Sequence, residues 1–274
     1  AEEGPPPGEE GGALLMVKEG VMQNPKVDAI FGLHINSQTP VGTIRYKSGG
    51  TMAAAQSFKI KVMGKQSHGS QPWAGVDPIL ISAKIIDGLQ TIISRETDLT
   101  NEAAVITVGK ITSGVRFNII PEDAEMIGTI RTLDYGMKDK LNKRMVEMVT
   151  TIAKAYGGEA TCEIKEATDI TYNNPELVTQ MLPTMKRVAG AGNVHTQKAI
   201  TGAEDFSYFQ REAPGFFFFL GGMTPGNTES FPHHTPDFKI DDSDLLLGVR
   251  TLTEMSLDYL NSDRTPRLDT KPKG

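Results

Sequence analysis

The apolar positions at the start of the chain predict a short helix followed by two strands. The helix is predicted from Gly11 to Gly20, where a glycine closes an apolar stretch. The run VDAIFGLHI is almost continuously apolar, which is typical of a strand buried on both faces of a parallel sheet. VGTIRYKSG predicts the next strand, which would end at the Gly49-Gly50 break.

From about residue 53 to residue 166 the pattern changes to half-buried strands and two helices. AQSFKIKVMGK alternates polar and apolar residues and predicts a strand, and a loop rich in Gly, Ser and Pro follows from Gln66 to Gly75. The next segment is a strong helix, with Asp77 as its candidate N-cap and Pro78 as its first residue. Two strands, a helix and a last strand are then predicted in AAVITVGKITSG, AEMIGTIRTLD, KDKLNKRMVEMVTTIAKAYGG and EATCEIKE. This β-α-β-β-α-β order is that of a ferredoxin-like unit, with both helices on one face of an antiparallel sheet.

The rest of the chain returns to a mixture of helices and buried strands. NNPELVTQMLPTMKRVAG predicts a helix with a kink near Pro183, FFFFLGG a buried strand, and DSDLLLGVRTLTEMSLDYLN a long amphipathic helix. We therefore predict an α/β fold in four stretches. They are an α/β domain in two parts, residues 1–52 and 167–262, an inserted domain, residues 53–166, and a polar tail, residues 263–274.

Composition and charge exclude several classes of protein. The 274 residues carry a net charge of −6 without a run of Lys and Arg, which argues against a nucleic-acid partner. No apolar stretch is long enough for a membrane helix. The single cysteine, Cys162, rules out an internal disulfide framework and a zinc cluster of cysteines, and its alternating segment indicates a buried structural thiol. The cellular compartment stays open.

Histidines and one pair of glutamates are the candidates for metal chemistry. His34 is expected to end a buried strand, where open α/β sheets present their ligands, and His233 and His234 lie in a Gly/Pro loop after another buried strand. Glu2 and Glu3 are adjacent, so that one carboxylate could ligate a metal while its neighbour acts as a general base. The alternatives are structural histidines and a solvated acidic tail.

The motifs of the chain, taken together, resemble those of the M20 metallopeptidases. They run in order through AEEG, VDAIFGLH, GTI, GKQSHGSQPWAGVDP, ISRE, FNIIPEDAEMIGTIRT, GAEDFSYF, FFFFLG and HHTPDF. The resemblance is greatest to the amidohydrolase branch, with its hippurate hydrolases, N-acyl-amino-acid amidohydrolases and auxin-conjugate hydrolases. It implies a zinc-peptidase-like α/β catalytic domain with an inserted ferredoxin-like lid that forms a homodimer.

The resemblance also implies roles in the metal site. Glu2 would be the general acid/base, and Glu3, His34 and His234 would be metal ligands. His233 would be a neighbour of the ligand, with an exchange of the two histidines left open. Glu204, in GAEDF, is similar to a family position near the metal site, where packing or support of a ligand is the simpler interpretation.

The lid carries the other implied residues. His68 would reach the active site of the partner subunit and polarise the scissile carbonyl or stabilise the oxyanion, with a surface loop histidine as the alternative. Asn118 would hold substrate, and Arg131 would bind a substrate carboxylate in a bidentate pair, with hydrogen bonding inside the protein as the alternative for both. His195 matches no family position and is expected at the surface.

The expected protein is a metal-dependent hydrolase that cleaves the amide bond of N-acyl amino acids or small peptide conjugates, with two divalent ions, Zn or Mn. The family's Cys-Gly-His-Asp type motif would precede AEEG, and no such motif stands in this chain. We therefore expect an N-terminally incomplete catalytic domain that is inactive by itself. The alternative is a non-catalytic dimerisation or binding module built on the ferredoxin-like unit.

Overall fold

The computed structural model describes residues 12–226 and 232–262, which form a mixed α/β fold. The chain divides into two compact units. The first unit comprises the described chain up to Ala53 and from Asp169. The second unit comprises Ala54–Thr168. Each unit has its own core of buried apolar side chains.

The described residues contain six α-helices and twelve strands, together with two short 3₁₀ turns and a short π-helical segment, Ile92–Glu96, after the second helix. The helices are α1 (Gly12–Lys18), α2 (Pro78–Thr91), α3 (Tyr135–Ala155), α4 (Pro175–Ala189), α5 (Ser207–Gln210) and α6 (Leu245–Leu260). The strands are β1 (Ile30–Pro40), β2 (Ile44–Tyr46), β3 (Gly49–Met52), β4 (Ala54–Met63), β5 (Ser67–His68), β6 (Ala104–Ser113), β7 (Ile119–Ile120), β8 (Asp123–Thr132), β9 (Glu159–Thr168), β10 (Thr171–Asn173), β11 (Val194–Thr196) and β12 (Gly215–Met223).

The first unit is built on a four-stranded sheet in the order β1-β12-β2-β11. β1 runs parallel to β12 in a regular register from Ile30↔Gly215 to Asn36↔Gly221. β12 is buried along nearly its whole length, as FFFFLGG predicts. The expectation of burial on both faces is wrong for the first part of β1, which is only half-buried because β1 is an edge strand of the described sheet.

Helices α4 and α6 contribute side chains to the core of the same unit, together with β2 and β12. Asn174 caps α4, since its side-chain oxygen accepts from the N–H of Leu177, and the helix continues through Pro183. Thr184 donates to Asp258 at 2.5 Å, and Arg187 donates to the same carboxylate at 2.7 Å. These bonds join α4 to α6 at the rim of the core.

The strand predicted in VGTIRYKSG is shorter in the structure than this segment, and a further strand follows it. β2 ends at Tyr46, and the Gly49-Gly50 pair begins β3 instead of ending a strand. Gly49 has a φ of +77°, a left-handed conformation that glycine adopts without the strain of a side chain. The chain can therefore turn at this glycine and pair β3 antiparallel with β10.

The second unit contains β4, α2, β6, β8, α3 and β9 in chain order. Its antiparallel sheet has the order β6-β8-β4-β9, and one face of it packs against α2 and α3. The predicted start of α2 is confirmed, because the Asp77 carboxylate accepts from the N–H groups of Ile79 and Leu80. The other face is polar, with Lys59 and Glu125 paired at 2.6 Å across β4 and β8.

The loop from Gln66 to Gly75 is more ordered than its composition indicates. β5 and β7 form a two-stranded antiparallel sheet in which His68 pairs with Ile119.

The predicted structural thiol, Cys162, is half-buried against the core, and burial raises the pKa of its thiol to about 11. Among the described helices, none combines the length and apolar character that crossing a bilayer requires.

Candidate metal centre

His34 is held by the parallel pairing of β1 with β12, opposite Phe219. The prediction that His34 ends its strand is wrong, because β1 continues to Pro40. The polar residues after His34 break the apolar pattern but not the backbone pairing, which remains regular to Asn36 and resumes at Pro40. His34 therefore stands inside a strand, where its backbone is fixed on both sides.

The ring of His34 has a defined hydrogen-bonding state. Its Nδ1 lies 2.5 Å from the carbonyl oxygen of Ile35, so Nδ1 carries the proton and donates it to that oxygen. Burial lowers the pKa of His34, and the nearby His234 lowers it further. The neutral ring presents Nε2 as a free lone pair, which is what a metal ligand requires.

His233 and His234 lie beside His34. The ring centroids of His34 and His233 are 5.1 Å apart at an interplanar angle of 80°, and those of His233 and His234 are 6.2 Å apart. Nε2 of His233 accepts from the backbone N–H of Ser37 at 3.2 Å. Burial and the two neighbouring imidazoles lower the pKa of His233. His234 is exposed and has a φ of +64°, a conformation that residues other than glycine seldom adopt.

The segment containing Glu204 packs on the face of the sheet that carries His34. Gly32 and His34 are two residues apart and thus share a face of β1. A Cβ at Gly32 would lie 2.7 Å from the Phe206 ring, so the absence of a side chain there makes room for Phe206. Burial and a hydrogen bond with Asp205 raise the pKa of Glu204 to about 7. Asp205 in turn accepts from the N–H of Ala13 in α1 at 3.2 Å.

The other predicted residues of the metal site are the carboxylates Glu2 and Glu3. Glu2 and Glu3 lie outside the described residues. Within the described ranges, no group of three His, Cys, Asp or Glu side chains is arranged to hold a metal ion. The donors that are described, imidazole nitrogens at a sheet edge, suit a transition-metal ion as part of a larger ligand set.

The residues predicted for the lid lie in the second unit. His68 is exposed, and its Nδ1 accepts from the N–H of Ser70 at 3.1 Å, with the Ser70 hydroxyl 2.7 Å away. The carbonyl of Asn118 accepts from Gly69 N–H at 2.8 Å, which places Asn118 beside His68. Arg131 is on β8, on the polar face of the sheet, and is half-buried. His195, predicted at the surface, is exposed on β11.

Comparison with known proteins places this arrangement in a family. Peptidase family M20/M25/M40 matches residues 1–258. The chain belongs to this family. The M20 resemblance that the motifs predict is therefore confirmed.

Three M20-type relatives show the extent of the similarity. Thermostable carboxypeptidase 2 of Saccharolobus solfataricus is 39% identical over 254 residues, covering 92% of this chain and 63% of that protein. N-acetyldiaminopimelate deacetylase of a Geobacillus species is 37% identical over 225 residues, covering 82% of this chain and 58% of that protein. The crystal structure of a dinuclear metal binding M20 peptidase from Bacillus subtilis has a TM-score of 0.72 and 29% identity, covering 91% of this chain and 62% of the other. The chain thus spans less than two thirds of the length of these relatives.

Sequence reasoning finds the histidines of this M20 chain but not the residues that contact them. Ser37 and His233 are 196 positions apart, and the sequence pattern contains no signal that pairs them. Phe238, whose ring centroid is 4.8 Å from that of His233, looks like an ordinary loop residue in the sequence. Ser70 lies two residues from His68, so its contact with His68 could have been proposed from spacing alone.

Proposed function

We propose that the protein is a metal-dependent hydrolase that cleaves the amide bond of N-acyl amino acids or small peptide conjugates. The observation that carries this proposal is the family match over residues 1–258, in a chain whose His34 and His233-His234 side chains meet at one place on the sheet. Relatives named as a carboxypeptidase and as an N-acetylated amino acid deacetylase both act on an amide next to an amino acid.

Glu3, His34 and His234 would hold the metal in this proposal. Two divalent ions, Zn or Mn, fit the dinuclear site named for the Bacillus subtilis relative. Bound ions would polarise the scissile carbonyl and lower the pKa of water. Glu2 would take the proton from the attacking water and pass it to the departing amine.

The second unit would act as a ferredoxin-like lid, residues 53–166, inserted into the catalytic domain of residues 1–52 and 167–262. Its β-α-β-β-α-β order and its β6-β8-β4-β9 sheet support this assignment. His68 would serve the active site of the partner subunit in a homodimer formed through the lid. The Ser70 N–H engages Nδ1 of His68, which leaves the proton of the neutral ring on Nε2. The Nε2–H of His68 can then donate to the oxyanion of the substrate.

Asn118 and Arg131 would complete substrate binding in the lid. Asn118 is exposed next to His68, so its amide can hold the substrate near the same oxyanion donor. Arg131 would bind a carboxylate of the substrate through two parallel hydrogen bonds.

The test is hydrolysis of N-acyl amino acids by the full-length protein, with and without a chelator. Glu2→Gln should lower kcat by about 10²- to 10⁴-fold, the usual contribution of a general acid/base, with the metal content unchanged. Glu9→Gln, a change of a nearby carboxylate without an assigned role, is the matched control and should keep wild-type activity. Full activity in Glu2→Gln would refute the role of Glu2, and a metal-free, inactive wild-type protein would refute the proposed function.

A further inference from the structure

His233 contacts three different residues at the candidate metal centre. Its Nε2 accepts from the Ser37 N–H at 3.2 Å, and its ring packs edge-on against His34 at 5.1 Å. The ring also stacks at a tilt of 41° on Phe238, 4.8 Å away. A side chain held by three different partners has a fixed ring plane.

The hydrogen bond to Ser37 determines which nitrogen of His233 carries a proton. Because Nε2 accepts, its lone pair points at the Ser37 N–H, and the proton of the neutral ring is on Nδ1. Neither nitrogen then has a lone pair to offer to a metal ion. His34 has the opposite arrangement, since its Nδ1 donates to the Ile35 carbonyl and its Nε2 is left for a ligand.

We propose that His233 is a positioning residue, which orients the His34 ring and the backbone of His234 without ligating the metal itself. This inference rests on the proposed function, because it assigns His34 and His234 as ligands. The contact with Ser37 joins the loop of His233 to β1, the strand of His34, across 196 positions of sequence. The left-handed φ of His234, +64°, strains the backbone of a residue with a side chain, and it persists only where neighbouring contacts offset that strain. His233 is the adjacent residue, and its three contacts supply that restraint.

Two substitutions separate the two properties of His233. His233→Phe keeps a ring of similar shape for His34 and Phe238 but removes the acceptor for Ser37. His233→Gln keeps a side-chain acceptor but removes the ring. His234→Gln, the change of a proposed ligand in the same loop, is the matched comparison.

The first measurement is Co²⁺ binding by the full-length protein, followed by visible absorption and by competition with a chelator. His233→Phe and His233→Gln should bind as many ions as the wild type, with absorption maxima unchanged and a dissociation constant raised about 10- to 100-fold, as for other residues that orient ligands. His234→Gln should change the absorption spectrum or lose an ion. Loss of an ion in His233→Phe with full binding in His234→Gln would show that His233 is the ligand. Wild-type affinity in both His233 variants would show that His233 positions nothing.

The second measurement does not depend on metal or activity. Long-range ¹H–¹⁵N spectra of the metal-free protein, at a pH where the imidazoles are neutral, report the protonated nitrogen of each ring. His233 and His34 should both show Nδ1–H, and His233 protonated at Nε2 would overturn the proposal. A wild-type protein that binds no Co²⁺ but shows these protonation states would refute the proposed function and leave the hydrogen-bond geometry of His233 intact. In that case the positioning role would fail with the function, because there would be no ligand to position.

Discussion

At the scale of single residues, the chemistry of the candidate centre depends on which nitrogen or oxygen carries a proton. His34 and His233 are half-buried, and burial lowers the pKa of each, which favours the neutral imidazole. Burial has the opposite effect on the pKa of Glu204, which it raises, because the neutral form of a carboxyl group is the protonated one. Burial thus favours the neutral form of each of these three side chains.

Glu204 should make stability depend on pH. Burial and the Asp205 hydrogen bond raise the pKa of Glu204 from 4.5 to about 7, so the folded protein holds a proton that the unfolded chain releases. The stabilisation is complete below the unfolded pKa and is lost as the pH rises toward 7. Glu204→Gln stays neutral, so its loss of unfolding free energy between pH 5 and pH 8 should be smaller by roughly 2 kcal/mol. Denaturant unfolding of the chelator-treated protein at both pH values measures this difference.

The control for Glu204 is Glu19→Gln, a change at an exposed carboxylate in the same unit. This variant should keep the wild-type dependence on pH. If Glu204→Gln also follows the wild-type curve, Glu204 is ionised in the folded protein and the assigned pKa is wrong.

At the scale of elements, the long apolar and amphipathic segments could be predicted and the short strands could not. α2, α3 and α6 and the buried β12 follow directly from apolar spacing and, for α2, from the Asp77 cap. β5, β7, β10 and β11 have two or three residues each, too few for a period to be recognised. They exist because distant backbone groups pair with them, and that information is not local.

Asn173 shows how such a short strand is held. It is fully buried in β10, its Nδ2 donates to the carbonyls of Lys47 and Phe217, and its Oδ1 accepts from the Phe217 N–H. Asn173→Leu would keep the volume but remove the side-chain partner of the N–H and the carbonyl of Phe217. The Lys47 carbonyl would still accept from the Thr51 hydroxyl. We expect the free energy of unfolding to fall by about 2 kcal/mol or more, since each buried unsatisfied group costs about 1–3 kcal/mol. Chemical denaturation monitored by circular dichroism measures the change.

The matched control is Asn101→Leu, at an exposed position in a turn of the second unit. Its effect on the free energy of unfolding should be within about 0.5 kcal/mol, as for most surface substitutions. An Asn173→Leu variant as stable as this control would mean that β10 is held by its backbone pairing with β3 alone.

At the scale of the whole molecule, the order of elements could be predicted and the assembly stays a proposal. The β-α-β-β-α-β order of the second unit follows from alternation and helix periodicity along AQSFKIKVMGK to EATCEIKE. Whether His68 serves a partner's site depends on contacts between chains, which no pattern within one chain encodes.

Mixing two inactive variants tests the proposed exchange of His68 between subunits. A mixed dimer of Glu2→Gln and His68→Ala chains would contain one site with both wild-type residues and one site with neither. If equal amounts of the two chains pair at random, activity should recover to about a quarter of the wild-type value. The measurement is the hydrolysis rate after the two variants are unfolded and refolded together.

Each variant refolded alone is the control and should stay inactive. Absence of recovery in the mixture, with dimers shown by light scattering, would mean that Glu2 and His68 act within one chain, and an active His68→Ala control would mean that His68 has no role.

The parallel pairing of β1 with β12 also decides when the centre can form. His34 lies opposite Phe219 in this pairing. β1 can therefore pair with β12 only after the ribosome has synthesised the whole second unit, which lies between the two strands in the sequence. The second unit is continuous in sequence, and the partners within its sheet, including the distant pair Ala55 and Thr168, all precede β12 in the chain, so its own strands can pair earlier. His34 and His233 therefore come together only late in synthesis, and the arrangement of these two rings belongs to the finished fold and not to the growing chain.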